Sequence, residues 1–549
     1  MFKKYLLPLI IALVFGAADF YFTLPAINIK SAGFWGLLIF MAVVYVVSML
    51  ILKGIFNLKS FLSKQPKIED IEKIKKVKLK RWQKYAIIGF VGIVVLSVAV
   101  IVISSSMLFN AEKYQKMLDV KDGDFTEVIA ELPISKIPIV DKDSAERLGS
   151  RKIGEVVELV SQFNVSGYYT QINYDEKPYR VSPLEYADFI KWCTNKNQGI
   201  PYYVKIDMAT QNTELVKLAE GMKYTPSEYF SRDLMRHVRF KYPTKMFHST
   251  SFEIDDSGKP YWMISYYDYT IGFLGGKDIA GIICVDAITG ETTDYKVNEV
   301  PTWVDRVYDA DIILEQAASW GKFTEGYWNS VFGQKNVIAT TDGYNYIALN
   351  DDVWLFTGIT SVVSDESNIG FILVNMRTKE SMRFSINGAE EYSAMSSAQG
   401  KIQEKGYAAT FPILVNVADT PSYFISLKDN AGLVKAYSFV SVSNYQIVGV
   451  GDTIEQASEE YLKLLKSNGI NLNENADNLK GGITEEITID RISSAVVNGN
   501  SIYYIKPKEV DKIYTASIDI SDKLPLLMPG DKITITRKNE ETTAIINIK

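Results

Sequence analysis

Three apolar runs open the chain, at Tyr5–Ile27, Phe34–Leu52 and Tyr85–Phe109. A helix rising about 1.5 Å per residue needs roughly 20 residues to cross a hydrocarbon core about 30 Å thick. Each run has that length, so the pattern predicts a three-helix membrane anchor over residues 1–109, and the second and third runs carry no charge at all. Between them, Lys53–Lys84 holds eleven basic residues against Glu69, Asp70 and Glu72. Short loops with such a Lys/Arg excess stay cytoplasmic. Lys3 and Lys4 put the amino terminus on the same side, whereas the link Asn28–Gly33 carries only Lys30. The expected location is therefore the cell membrane, multi-pass, with a cytoplasmic amino terminus and residues 110–549 extracytoplasmic. Gly16-Ala17-Ala18 also resembles the cleavage site of a secretory leader, and cleavage there would leave the later topology unchanged.

Within the first run, Asp19 is an ionisable group at a costly depth, which makes it a candidate intramembrane polar contact. Its other reading is a position near the outer boundary. Lys73, Lys75, Lys76, Lys78, Lys80 and Arg81 set the topology and form a candidate lipid-facing surface for anionic head groups. The lipid bilayer is thus the first expected partner.

Charge divides the chain in the same place. Residues 1–109 carry a net +10 and the remainder −16, which excludes a uniform soluble protein. So acidic a majority also argues against a nucleic-acid partner, because neutralising phosphates demands a basic face. Only Cys193 and Cys284 occur, so no disulfide framework supports the outer region, which must build its own hydrophobic core. An excess of Lys over Arg, with abundant Ile, Asn and Tyr, points by association to an AT-rich bacterial genome.

The outer region reads as α+β. A stalk is expected over 110–160, helix-plus-antiparallel-sheet modules over 161–300, 301–388 and 389–470, and a small β-barrel of OB or SH3 type over 480–549. Ser182-Pro183-Leu184-Glu185 and Thr225-Pro226-Ser227-Glu228 have the grammar of helix starts: a hydroxyl cap, proline at the first helical position and glutamate to close a capping box. Further helices are expected near Asp311, near Ala389 and from Thr453, where Ile454, Ala457, Tyr461, Leu462 and Leu465 form one apolar stripe. In the last segment, Asn498-Gly499 and Pro529-Gly530 are turn signals between short strands.

A repeated pattern of an aliphatic run, an Asp or Asn, two residues and a Thr centres on Asp207, Asp286 and Asn375, with a weaker copy at Val440–Val448 around Ser443-Asn444. Each reads as a strand–turn–strand whose Asx side chain bonds the turn backbone. Val285-Asp286-Ala287-Ile288-Thr289-Gly290-Glu291 resembles the closing hairpin of PepSY-type modules, small helix-plus-sheet units of extracytoplasmic bacterial proteins. The copies at Asp207 and Asn375 lack the glycine. The resemblance implies a non-catalytic binding or regulatory module and carries over no catalytic residue, since the signature is a turn.

The chemical motifs are few. Neither His237 nor His248 lies in a metal-ligand spacing, and no zincin, Walker or nucleophile-elbow motif occurs. His237 is expected to be a packed, hydrogen-bonded histidine, and Cys193, spaced with Tyr186 and Ile190, a core thiol. Asp255/Asp256, Asp309/Asp311 and Asp351/Asp352 read as a hairpin turn, a helix cap and a loop. Tyr261-Trp262, Tyr266-Tyr267 and Trp303 read as sheet core. No cofactor is expected. The sequence therefore predicts a membrane-anchored extracytoplasmic scaffold or regulatory protein of the cell envelope, whose partner is another envelope protein or a wall polymer. The alternatives are an envelope hydrolase using a carboxylate pair assembled from distant segments, and an accessory subunit of a membrane complex.

Overall fold

The computed structural model describes residues 5–52, 81–131, 136–362, 367–470, 483–497, 500–521, 523–537 and 543–548. Four helices open the described chain: α1 Leu7–Thr23, α2 Ala32–Leu52, α3 Arg81–Ser105 and α4 Met107–Gln115. Two helical stretches, Ala32–Leu52 and Ile88–Gln115, are long and apolar enough to cross a membrane, whereas α1 has 17 residues. α1 packs along α2, and Gly16 makes this possible, because a Cβ there would lie 2.7 Å from the Met41 side chain. Arg81 opens α3, while Lys73, Lys75, Lys76, Lys78 and Lys80 lie outside the described residues.

Beyond α4 the chain is mixed α+β, and one unit recurs four times. A helix precedes an antiparallel meander, and the four helices are Lys142–Gly154, Leu234–Lys241, Ala310–Lys322 and Glu391–Lys401. In three units the first strand is broken into two pieces that pair with the same neighbour: Phe163–Val165 with Thr170–Tyr174, Ile338–Thr340 with Asn345–Leu349, and Ala408–Ala409 with Ile413–Val417. In the second unit the corresponding strand, Met246–Ile254, stays whole but carries a register shift between Phe247 and Thr250. The third sheet gains a parallel edge strand from far upstream, Val120–Asp122, which pairs with Ser381–Phe384.

Shared cores hold the units together. Phe252 and Trp262 of the second unit are buried with Ile172 and Tyr203 of the first. Ile282 and Cys284 pack with Ile313 and Leu355 across the second and third, and Phe371 packs with Tyr423 across the third and fourth. The fourth then returns to the first: Lys428 ion-pairs with Asp141, and the Arg147 guanidinium donates to the Ala431 carbonyl at 2.6 Å. These contacts close a circuit of four units. A further amphipathic helix, Ile454–Ser467, buries Ala457, Tyr461, Leu462 and Leu465, and starts with a complete capping box between Thr453 and Gln456.

Several expectations need correction. Ser182-Pro183-Leu184-Glu185 lies inside the strand Lys177–Tyr186, where Ser182 is buried and donates to the Ser166 carbonyl. Pairing with Ile200–Asp207 gives this segment its backbone partners, and the helix starts later at Phe189–Asn195 with Asp188 as cap. Thr225-Pro226-Ser227-Glu228 is a turn, because the Glu228 carboxylate is engaged by Trp192 and Tyr186; Asp233 caps Leu234–Lys241 instead. The shift exposes Cys193 and buries Trp192 in its place. Residues 110–160 do not form a stalk: Ile137, Ile139, Val140, Ala145 and Ile153 belong to the central core.

The C-terminal strands form a five-stranded antiparallel sheet around Ile487, Ile489, Ile505, Tyr514 and Ile535. Its two edges meet only at one bridge, Thr515 to Ala544, so the expected closed barrel is not formed among the described residues. Asn498-Gly499 lies outside them.

Candidate functional site

The repeated Asx positions share one geometry. Asp207 Oδ1 accepts the Ala209 and Thr210 N–H groups, both at 2.9 Å. Asp286 Oδ1 accepts those of Ile288 and Thr289 at 2.8 and 3.0 Å, and Asn375 Oδ1 those of Arg377 and Thr378 at 2.8 and 2.9 Å. Four residues on, Gln211, Gly290 and Lys379 take left-handed φ values of 63°, 75° and 65°. Only Gly290 is forced to be glycine, since a Cβ there would meet the Tyr224 ring at 2.4 Å. In the fourth unit Ser441 occupies the corresponding place, accepting the Asn444 N–H at 3.3 Å, while Asn444 turns its own Oδ1 to Gln446.

These turns also tie each meander to the helix of its own unit. The residue after each Asx donates to the start of the second strand, as Ala287 does to Pro260 and Met376 to Val353. Its carbonyl accepts from the segment leading into a helix: Met208 from Ile139, Ala287 from Tyr224, Met376 from Tyr308, and in the fourth unit Val442 from Ala389. The turn positions are therefore structural joints within each unit, their Oδ1 atoms taken up by backbone N–H groups.

Two carboxylates that sequence spacing did not single out meet where the first three units join. Glu253 and Asp305 are essentially inaccessible, and Glu253 Oε2 accepts the Asp305 N–H at 2.9 Å. Asp305 Oδ2 in turn accepts the Asn173 N–H at 2.7 Å. Burial pushes both acids up, Asp305 well above the usual range, with the Glu253 charge adding to the rise. Paired carboxylates with raised pKa are what an acid–base hydrolase uses. Here they are sealed from solvent and their hydrogen bonds go to backbone and Ser251, so as placed they reach no substrate. The signal was absent from the sequence because the two residues are far apart along the chain.

Above them opens a polar cleft of about 190 Å³, lined among others by Lys142, Tyr168, Ser249, Ser251, Arg306 and Tyr346. Arg306 lies 3.8 Å from the Tyr346 ring centroid, a cation–π contact that fixes its guanidinium in the wall. A larger cavity of about 490 Å³ lies between the first, third and fourth units, with Pro178, Ile347, Leu349, Asp351 and Leu414 in its walls. Its mixed lining suits an amphipathic ligand better than an ion.

Beside the polar cleft, His248, Asp309 and Asp311 come close enough to hold a metal ion. Their hydrogen bonds oppose one. His248 Nε2 faces Asp311 Oδ1 at 3.0 Å and Nδ1 faces the Lys277 ammonium at 3.0 Å. An ammonium can only donate, so Nδ1 is the acceptor and Nε2 carries the proton that a metal would have to displace. His237 behaves as its helix position implies, bonding the Gly290 carbonyl at 2.8 Å and packing against the Tyr224 ring at a tilt of 55°. Cys284 is buried and its thiol is pushed up to about 12 by desolvation.

The second unit is fastened to the apolar helices. The Ile27 N–H donates to the Pro243 carbonyl at 2.7 Å, Lys30 ion-pairs with Asp268 at 2.6 Å, and Arg239 donates to the Leu24 carbonyl at 2.9 Å. From the other side, Ser105 at the end of α3 accepts the N–H groups of Phe273 and Leu274 at 3.2 and 2.9 Å. Asp19 is half-buried near the same end of α1, and among the described residues its carboxylate has no hydrogen-bond partner. No family model matches this chain, and comparison with curated proteins finds no match.

Proposed function

We propose that this chain is a membrane-anchored, extracytoplasmic binding or regulatory protein of the bacterial cell envelope, built from PepSY-like units and acting without catalysis. The observation that carries the reading is the fastening just described. The end of α1, the α1–α2 link and the end of α3 all bond to one unit, so the circuit is held at one end of the apolar helices with little freedom to swing. A rigid mount suits a protein whose work is to present clefts at a set height above a membrane, and the helix-plus-meander units with Asx turns support the PepSY-like assignment. The two open cavities are the surfaces offered to an envelope protein or wall polymer.

An engineered thiol away from the membrane-proximal helices supplies the test: Tyr445 is exposed and Cys284 is buried, so Tyr445→Cys in a Cys193→Ser background carries one accessible cysteine. A membrane-impermeant maleimide applied to intact cells is expected to label that variant once, and to leave Cys193→Ser alone unlabelled. Labelling that appears only after lysis would place the circuit inside the cell and end the envelope reading. Crosslinking in intact cells then identifies what occupies the cavities. The unpartnered Asp19 carboxylate favours a second reading, an accessory subunit whose partner helix supplies a polar group. In that case Asp19→Leu abolishes co-purification, and unchanged recovery rejects it.

A further inference from the structure

Two exposed aromatic patches flank the ends of the apolar helices. In the first, the short helical turn Gly326–Trp328 continues into the turn Asn329–Gly333. Trp328, Val331 and Phe332 fall at i, i+3 and i+4 and so share one face, 63%, 47% and 78% exposed. The Trp328 and Phe332 rings lie 5.9 Å apart and nearly parallel. On the inner side Tyr327 stacks on Phe323 and packs with Met107, Ala111 and Tyr114 of α4. Met107 is two residues past the end of α3. The segment bearing the patch is therefore packed against α4, the helix that directly follows that apolar helix.

The second patch comprises Phe189, Ile190 and Phe230, at 47%, 70% and 58% exposure. Arg236 ties it to the end of α1, donating to the Phe230 carbonyl at 2.8 Å and the Tyr21 carbonyl at 3.3 Å, with its guanidinium 4.4 Å from the Tyr21 ring centroid. Aromatic side chains left uncovered beside the termini of spanning helices have the composition and position of an interfacial belt.

We propose that both patches dip into the head-group and acyl boundary of the bilayer that holds α2 and α3, so that the circuit lies against the membrane and rests on more than its covalent tether. The proposal builds on reading α2 and α3 as spans. Lipid is the favoured occupant because each patch is tied to the end of an apolar helix, the first through α4 to α3 and the second through Arg236 to α1, so that one extended apolar cover serves both.

The test uses the full chain in the Cys193→Ser background, reconstituted in phosphatidylglycerol/phosphatidylethanolamine vesicles and spin-labelled in turn at Phe332→Cys, Ile190→Cys, Val98→Cys and Tyr445→Cys. Relaxation by oxygen, which concentrates in lipid, and by a water-soluble nickel chelate reports depth. Labels at 332 and 190 are expected to fall between Val98→Cys, deep and oxygen-accessible, and Tyr445→Cys, which is aqueous. If 332 and 190 read as 445 does while 98 reads deep, the inference fails and the spans stand. If 332 and 190 are immobile and shielded from both reagents, a protein covers the patches and the inference also fails. An aqueous reading at 98 overturns both the spans and the inference.

Discussion

The turns of the second and third units build one backbone geometry from different charges. In the second, Asp286 accepts the turn N–H groups through Oδ1 and pairs with Lys259 through Oδ2 at 2.6 Å. In the third, Asn375 accepts the turn N–H groups and donates its own Nδ2 to Asp352 at 2.8 Å, while Arg377 clamps Asp352 through two nitrogens at 2.6 and 2.7 Å. Strand register makes Lys259 and Asp352 equivalent, each two residues before the partner of the Asx position, Tyr261 opposite Asp286 and Trp354 opposite Asn375. The negative charge has moved across the strand pair, and the cation has crossed the other way, from the neighbouring strand to the turn. Such a turn requires an oxygen acceptor at the Asx position and does not require a particular charge, provided that the neighbour is complementary.

The largest effect should come from breaking the third turn. Asn375→Asp sets a buried carboxylate against Asp352 and removes the Nδ2 donor; a destabilisation of about 3 kcal/mol is expected in denaturant unfolding of the detergent-solubilised protein. Asp286→Asn should cost about 1 kcal/mol, because it keeps the turn acceptor and loses an ion pair whose lysine is part-exposed. It should also change the acid response. Burial raises the Asp286 carboxyl, but Lys259 and the turn N–H groups outweigh it and hold the group below the usual range. A depressed acid adds stability above its unfolded value of about 4, and that stability disappears as pH falls through the folded value. The variant should therefore lose less stability than the parent on acidification below about pH 4. Asp207→Asn, where no ion pair accompanies the turn bonds, should stay within about 0.5 kcal/mol of the parent. Equal losses at all three sites would show that charge placement is irrelevant.

What the sequence exposed was local. The Asx turns were legible because both partners of each bond lie within four residues, and the Thr453 helix because its cap and stripe are contiguous. The proline-containing starts at Ser182 and Thr225 misled for the opposite reason. Their backbone and side-chain groups are engaged by remote partners, Ile200–Asp207 in one case and Trp192 with Tyr186 in the other. The convergence of Glu253 and Asp305 is likewise a property of how units meet, which no single window contains. Cys193 was misplaced because the helix carrying it is capped by Asp188, six residues beyond the cap-like Ser182, turning Trp192 inward instead.

The strand Val120–Asp122 has a consequence for assembly. It follows the last apolar helix yet completes the sheet of the third unit, where Asp122 meets Arg383 across 261 positions. The strand emerges early and must wait, unpaired, until most of the chain has been made. Folding from amino to carboxyl terminus thus cannot finish unit by unit, and the third sheet acts as a clasp that fastens late over a segment made directly after the apolar helices.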